Sequence, residues 1–353
     1  MYKELELNHF KQFEHMKMTL APVTLIGGSN NVGKTSILEA LFLAHGFLDP
    51  SVFTQIKSFR GSTVTAMVPR AIWGNLFHKY DETKKLSLRL DEQELVFQKE
   101  DGFSSGVAGI KSSNVKEYSY ALASRFTKRE NTYNGFYFIG EYADGRGAEL
   151  FLQDNLDINA ENAWLKLCPA RYQSSTQQLS IMESSVFLSD LELSNSKAHL
   201  VDVLKIIDED IVDVQMLTPH AEMVIYLSKK DGTKVPVSDM GDGIKKLLNI
   251  AMSMLSQSNH ILFLDEIENG IHHSLFPKLW EAIFVLAKKQ HCQVIATTHS
   301  YECVRGAAMG AQLSKLPNDL LYTRLERLAD TISAKTYTTH ILNHALDANW
   351  EVR

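Results

Sequence analysis

The feature that most constrains this chain is Gly28-Ser29-Asn30-Asn31-Val32-Gly33-Lys34-Thr35, a glycine-framed loop set between an apolar run and a helical pattern. Upstream, Val23-Thr24-Leu25-Ile26 reads as a buried strand. Downstream, Ile37, Leu38, Leu41 and Phe42 recur at helical spacing, which predicts a helix from near Lys34 to Gly46. Strand, loop and helix in that order make a phosphate cradle. Glycines let consecutive backbone N–H groups curl around phosphate oxygens, and the helix N-terminus adds the positive end of its dipole. In such a cradle Lys34 reaches the β- and γ-phosphates of a nucleoside triphosphate and the Thr35 hydroxyl ligates Mg²⁺. Asn30, Asn31 and Ser36 complete the candidate loop contacts.

The C-terminal third repeats the strand–helix rhythm. Strands are expected at Val212–Leu217, Met223–Leu227, Val235–Val237, Ile261–Leu264 and Val294–Thr297. Helices are expected after Gly243 and through Leu275, Leu279, Trp280, Ile283 and Phe284. Short apolar strands alternating with helices predict an α/β fold with a largely parallel core sheet covered on both faces. Between the two ends the pattern is mixed, with strands at Leu86–Leu90, Leu95–Gln98 and Phe136–Gly140 among Ser-, Asn- and Gly-rich turns. Residues 174–208 suit two helices, without the sustained heptads of a long coiled coil. The chain is therefore divided into 1–60 (N-terminal lobe with the loop), 61–173 (its antiparallel, β-rich part), 174–210 (a short helical insertion) and 211–353 (C-terminal lobe).

Three strand ends carry chemistry. Ile261-Leu262-Phe263-Leu264 runs into Asp265-Glu266, where Asp265 would hold the Mg²⁺ hydration shell and Glu266 would act as general base on water. An Asp-Glu pair alone more often solvates a strand end, and the upstream phosphate loop decides for chemistry. Val294-Ile295-Ala296-Thr297-Thr298 runs into His299, which could sense the γ-phosphate. Val237-Ser238-Asp239-Met240-Gly241-Asp242-Gly243 precedes a helix and could form a second anion-binding turn through Ser238, Gly241 and Gly243. Two phosphate-binding elements some 200 residues apart suggest a nucleotide held between two copies of the chain.

Composition excludes several alternatives. With 353 residues, 44% hydrophobic and 22% charged, the chain has apolar material for one large domain or two smaller ones. Cys168, Cys292 and Cys303 are widely spaced, which disfavours disulfides and a Cys-x-x-Cys metal site and fits a cytoplasmic setting. No stretch approaches the roughly 18 apolar residues of a membrane span. A net charge of -6 gives no global attraction to nucleic acid. Lys57, Arg60, Arg125, Lys128 and Arg129 are read first as a solvated face. His272-His273 is declined as a metal site because adjacent residues point in different directions and neither has a His-x-x-x-His partner. Phe10 and Phe13 are assigned to the core rather than to an adenine stack.

Taken together, the Gly28–Thr35 loop, Ser238-Asp239-Met240-Gly241-Asp242-Gly243, Leu264-Asp265-Glu266-Ile267-Glu268-Asn269-Gly270-Ile271-His272 and Thr297-Thr298-His299-Ser300 resemble the ABC-type ATPases of the overcoming-lysogenisation-defect and RecF group. The resemblance implies a two-lobed ATPase head that dimerises on binding ATP and Mg²⁺. It implies that Gly28 to Ser36 form the Walker A element, Asp265 and Glu266 the Walker B pair, Ser238 and Gly241 the signature, and His299 the switch histidine. The signature departs from the Leu-Ser-Gly-Gly-Gln of transporter ATPases, which argues against a transporter subunit. Gln173 is the candidate for the Mg²⁺-contacting glutamine, against an ordinary loop residue. Trp350-Glu351-Val352-Arg353 resembles the close of stand-alone members that lack a nuclease domain. The implied role is an ATPase or sensor of a bacterial or phage-defence module, forming a homodimer or higher oligomer and acting through a separately encoded nuclease or toxin. The alternative is a RecF-like repair ATPase that binds DNA directly.

Overall fold

The computed structural model describes residues 1–46, 52, 56, 74–103, 111–112, 133–141, 147–153, 170–174, 179–255, 261–328, 331–348 and 350–352. Lys57, Arg60, Arg125, Lys128, Arg129 and Cys168 lie outside the described residues. The chain opens with the antiparallel pair β1 (Glu4–Phe10) and β2 (Phe13–Thr19), then enters β3 (Val23–Gly28) and α1 (Lys34–Gly46). With β4 (Leu86–Leu90), β5 (Gln93–Phe103), β6 (Lys111–Ser112), β7 (Tyr133–Glu141) and β8 (Gly147–Gln153), the first pair builds a seven-stranded antiparallel sheet ordered β2-β1-β4-β5-β7-β8-β6. β9 (Ala170–Gln173) is followed by α2 (Ile181–Leu193) and α3 (Lys197–Leu204), the expected pair of helices. A small antiparallel sheet follows, made of β10 (Ile211–Leu217), β11 (Val224–Lys229) and β12 (Lys234–Pro236). The remainder alternates α4 (Asp242–Leu255), β13 (Ile261–Leu264), α5 (Phe276–Gln290), β14 (Gln293–Thr297) and α6 (Tyr301–Leu313), and ends in β15 (Leu320–Leu328), β16 (Thr331–Thr338) and α7 (Thr339–Asp347).

The sheet that carries the loop is ordered β16-β15-β3-β14-β13-β9, parallel throughout except for the antiparallel edge strand β16. Its strands β3, β13 and β14 are short and buried along their whole length, as expected where both faces are covered. Successive side chains point to opposite faces, so each strand feeds two cores. Val23, Leu25, Leu262, Leu264, Val294 and Ala296 face the core built with α4, α5 and α6. Ile26, Ile261, Phe263 and Ile295 face the core built with α1 and the antiparallel sheet. Phe10 and Phe13 are 0% and 1% exposed in that second core, as their assignment required. Truncating a side chain such as the fully buried Phe263 to Ala would cost about 3–5 kcal/mol.

Local signals set the helix starts. α2 begins in a capping box in which Ser180 and Glu183 satisfy each other's backbone N–H. α6 begins at Ser300, whose hydroxyl accepts from the Cys303 N–H at 3.1 Å, and this pins the residue just before it, His299. Two expectations need correction. The strand expected through Val237 ends at Pro236, which has no N–H to give a ladder, and Val237 opens a 3₁₀ turn. The helix expected after Gly243 starts at Asp242, whose carboxylate suits a helix N-terminus. Cys292 and Cys303 are buried free thiols whose pKa burial pushes up to about 12. Among the described residues no helix is long and apolar enough to cross a membrane.

Candidate functional site

The C-terminal ends of the parallel strands meet at the loop after β3. Backbone bonds stitch them together: Asp265 N–H donates to Gln173 O at 2.9 Å, Ile267 N–H to Thr297 O at 3.1 Å, and Thr298 N–H to Ile26 O at 2.9 Å. Ligand sites of open α/β sheets form at this edge.

Two glycines are required where the loop turns. Gly28 has φ 135°, and a Cβ there would come within 2.6 Å of Leu325 O. Gly33 has φ 99°, and its Cβ would meet Phe13 Cζ and Gln12 Nε2 at 2.5 Å. Between them Asn30 and Asn31 are exposed at the rim, Asn31 at φ 62°, with its carbonyl accepting from Arg327 Nη2 at 3.1 Å. The Lys34 side chain folds back into the loop, where Nζ donates to Gly28 O and Ser29 O, both at 2.8 Å. Burial lowers the Lys34 pKa from the ordinary lysine value, opposed by the negative charges of Glu268, Glu266 and Asp265 in that order. Ser36, 1% exposed, donates to Gln12 Oε1 at 3.2 Å.

Thr35 meets Asp265 across 230 residues of sequence: its hydroxyl lies 3.2 and 3.1 Å from the two carboxylate oxygens. Tyr172 donates to the same carboxylate at 2.8 Å, and the Thr297 hydroxyl donates to it while accepting from Glu266 N–H at 2.9 Å. The donor set fits Mg²⁺. It is made of hard oxygens, the Thr35 hydroxyl and the Asp265 carboxylate.

Glu266 sits in the left-handed region at φ 47°, a strained place for a non-glycine residue. Asn269 Nδ2 holds its Oε2 at 2.7 Å. Lys246 of α4 donates to the carbonyls of Glu266 and Asn269 at 3.3 and 3.1 Å. His299 is half-exposed, and its Nδ1 lies 2.8 Å from Glu268 Oε1.

The expected site residues thus fall into two groups. Gly28, Gly33, Lys34, Thr35, Asp265, Glu266 and His299 gather at one strand edge. Ser238 and Gly241 do not join them: both are exposed, Ser238 donates to its neighbour Asp239 at 3.0 Å, and a Cβ on Gly241 would meet nothing within 4 Å. Gly243 is buried in the first turn of α4, where an added Cβ would come within 2.7 Å of Leu275 Cδ1. Gln173 ends β9 beside Asp265, but its side chain donates to Asn249 O at 3.2 Å and Ser253 Oγ at 2.7 Å on α4. The rings of His272 and His273 stack at 4.3 Å rather than pointing apart, since they lie in a turn where strand alternation does not apply. Sequence reasoning missed Gln12, Tyr172, Lys246, Glu268, Asn269 and Thr297. All but Gln12 lie within a few residues of a chosen position, yet only the fold shows which one faces the site.

Residues 23–305 match the family model described as "AAA domain, putative AbiEii toxin, Type IV TA system". A protein of Helicobacter pylori (strain ATCC 700392 / 26695) named ATP/GTP phosphatase is 25% identical over an alignment of 344 residues, covering 86% of each chain. Among solved structures, an SMC head bound to the C-terminal winged-helix domain of ScpA aligns with TM-score 0.51 and 13% identity over 98% of this chain and 99% of that one. At that identity the likeness is one of fold, an ABC-type P-loop ATPase head.

Proposed function

The chain belongs to the AAA domain family described as putative AbiEii toxin, Type IV TA system, and is a P-loop ATPase of the ABC-like type; from this premise we propose that it hydrolyses ATP with Mg²⁺ in a site completed by a second copy of itself. The observation that carries the reading is the Thr35–Asp265 contact at 3.1–3.2 Å, because it joins the phosphate loop to the acidic strand end that Glu266 continues.

In the proposed reaction the loop N–H groups and Lys34 bind the β- and γ-phosphates, the Lys34 ammonium leaving the Gly28 and Ser29 carbonyls for phosphate oxygens. Thr35 and Asp265 would hold Mg²⁺, which would supply neutralisation of the charge that develops on the phosphates. Glu266 orients a water and takes its proton as the water oxygen bonds to the γ-phosphorus. The bond from that phosphorus to the β–γ bridging oxygen breaks, giving ADP and phosphate. Asn269 keeps the Glu266 carboxylate in place, and His299 faces the γ-phosphate. Ser238 and Gly241 serve the nucleotide of the other copy, which accounts for their exposure and the open space above Gly241.

ATP closes the dimer and hydrolysis reopens it, so the output is a partner that distinguishes the two states. The family description supports a toxin–antitoxin setting, and in this reading the partner is a separately encoded nuclease or toxin. The test is Glu266→Gln. Turnover should fall about 10²–10⁴-fold, the range for loss of a general base, while ATP is retained and a dimer accumulates on size exclusion. Unchanged turnover would remove Glu266 from the reaction.

A further inference from the structure

Glu268 is a carboxylate that the reaction above does not use. Its side chain is 7% exposed, on the turn that follows β13. One oxygen, Oε1, accepts from the His299 backbone N–H at 2.7 Å and lies 2.8 Å from His299 Nδ1. The other, Oε2, is buried and has no hydrogen-bond partner among the described residues. Taking a carboxylate out of water costs several kcal/mol unless it is well paired. A residue needed only for packing between α6 and the β13 turn could be apolar. Glu268 is also the acid whose charge acts most strongly on both Lys34 and Lys246, ahead of Glu266. It therefore sits among the cations of the site as well as against the histidine.

We propose that Glu268 is the positioning residue for His299, holding the imidazole by Nδ1 and by its own backbone so that Nε2 is the nitrogen through which His299 acts. An ionised carboxylate only accepts hydrogen bonds, so Nδ1 must carry the proton in this pair, and that selects one tautomer of the neutral ring. The hydrogen bond to the backbone N–H prevents the ring and its supporting chain from shifting together. The Ser300 cap of α6 fixes the following residue, so His299 is held from both sides. Nε2 has no partner among the described residues, and the ring is 45% exposed, which leaves that nitrogen available to a ligand. A carboxylate that sets the tautomer and direction of a functional histidine is a recurrent device where only one ring nitrogen is to act.

This role rests on the proposed ATPase site, and the test separates the two. Glu268→Ala should lower kcat for ATP about 10–100-fold, the usual cost of losing such a support, with KM for ATP unchanged. Glu268→Gln, which keeps an oxygen able to accept from Nδ1–H, should recover much of the loss and serves as the working variant if Glu268→Ala does not fold. On a His299→Ala background, either Glu268 change should cost nothing more, because the residue acts through the ring. Full additivity there would overturn the proposal. Nitrogen-15 NMR of the histidines at alkaline pH reads the tautomer independently of turnover. The native protein should show His299 protonated at Nδ1, and Glu268→Ala should shift it towards Nε2–H. An unchanged tautomer would overturn the inference even if turnover falls. Unchanged turnover in His299→Ala, with the tautomer shift present, would instead remove His299 from the reaction and leave its positioning by Glu268 standing.

Discussion

The loop at residues 28–36 and the turn at 237–241 are both glycine-bearing candidates for phosphate, and the fold treats them in opposite ways. Around the loop, Lys34, Thr35 and Ser36 each make a bond within the protein, and a Cβ on Gly28 or Gly33 would collide with its surroundings. Around the turn, the Ser238 hydroxyl bonds only to its neighbour among the described residues, and a Cβ on Gly241 would meet nothing within 4 Å. A glycine whose Cβ would clash is explained by this chain alone. A glycine in the open is not, and either needs no reason or has its reason in another molecule. The contrast is that of a preorganised half-site and a half-site waiting for a surface to close on it.

The largest effect should come from Lys34→Ala. Loss of its charged hydrogen bonds to phosphate, worth about 1.5–3 kcal/mol each, should weaken ATP binding about 10- to 100-fold or more and abolish turnover, measured by calorimetry and phosphate release. Next is Gly241→Glu, which should leave thermal stability and ATP affinity of the single protomer unchanged yet stop hydrolysis. Mixed one to one with Lys34→Ala, it should regain about a quarter of native activity, since half the dimers are mixed and each has one intact site. No recovery would break the comparison by making both elements parts of one chain's site. The smallest effect is on stability. Gly33→Ala should cost about 1–3 kcal/mol for its strained backbone, read by denaturant unfolding, whereas Gly241→Ala should stay within about 0.5 kcal/mol, as for an open surface position. Equal costs would mean that the turn is as tightly built as the loop.

How much of this was legible beforehand varied with the range of the interaction. The bounds of α1, the strand at Ile261–Leu264 and the paired helices of residues 181–204 follow from local periodicity. The limits of β12 went wrong by one residue because a proline's missing N–H outweighs the valine that follows it. The His272 and His273 rings lie 4.3 Å apart because the chain turns there, which a rule of diverging neighbours does not foresee. Gln173 was found as a residue, but its side chain is committed to α4, some 80 positions further on, which no local pattern reports.

The sequence by itself determined the loop, the order of the acidic and histidine strand ends, and the alternation of strand and helix, because these depend on residue type and short spacing. The tertiary structure alone decided that Thr35 meets Asp265, that Asn269 holds Glu266 and that Glu268 holds His299. The first and last of these cross 230 and 31 residues, and even Asn269, three positions from Glu266, turns to it only because the chain folds back there at positive φ. Strand order and side-chain direction set such contacts, and both follow from how the parallel sheet divides its faces between two cores.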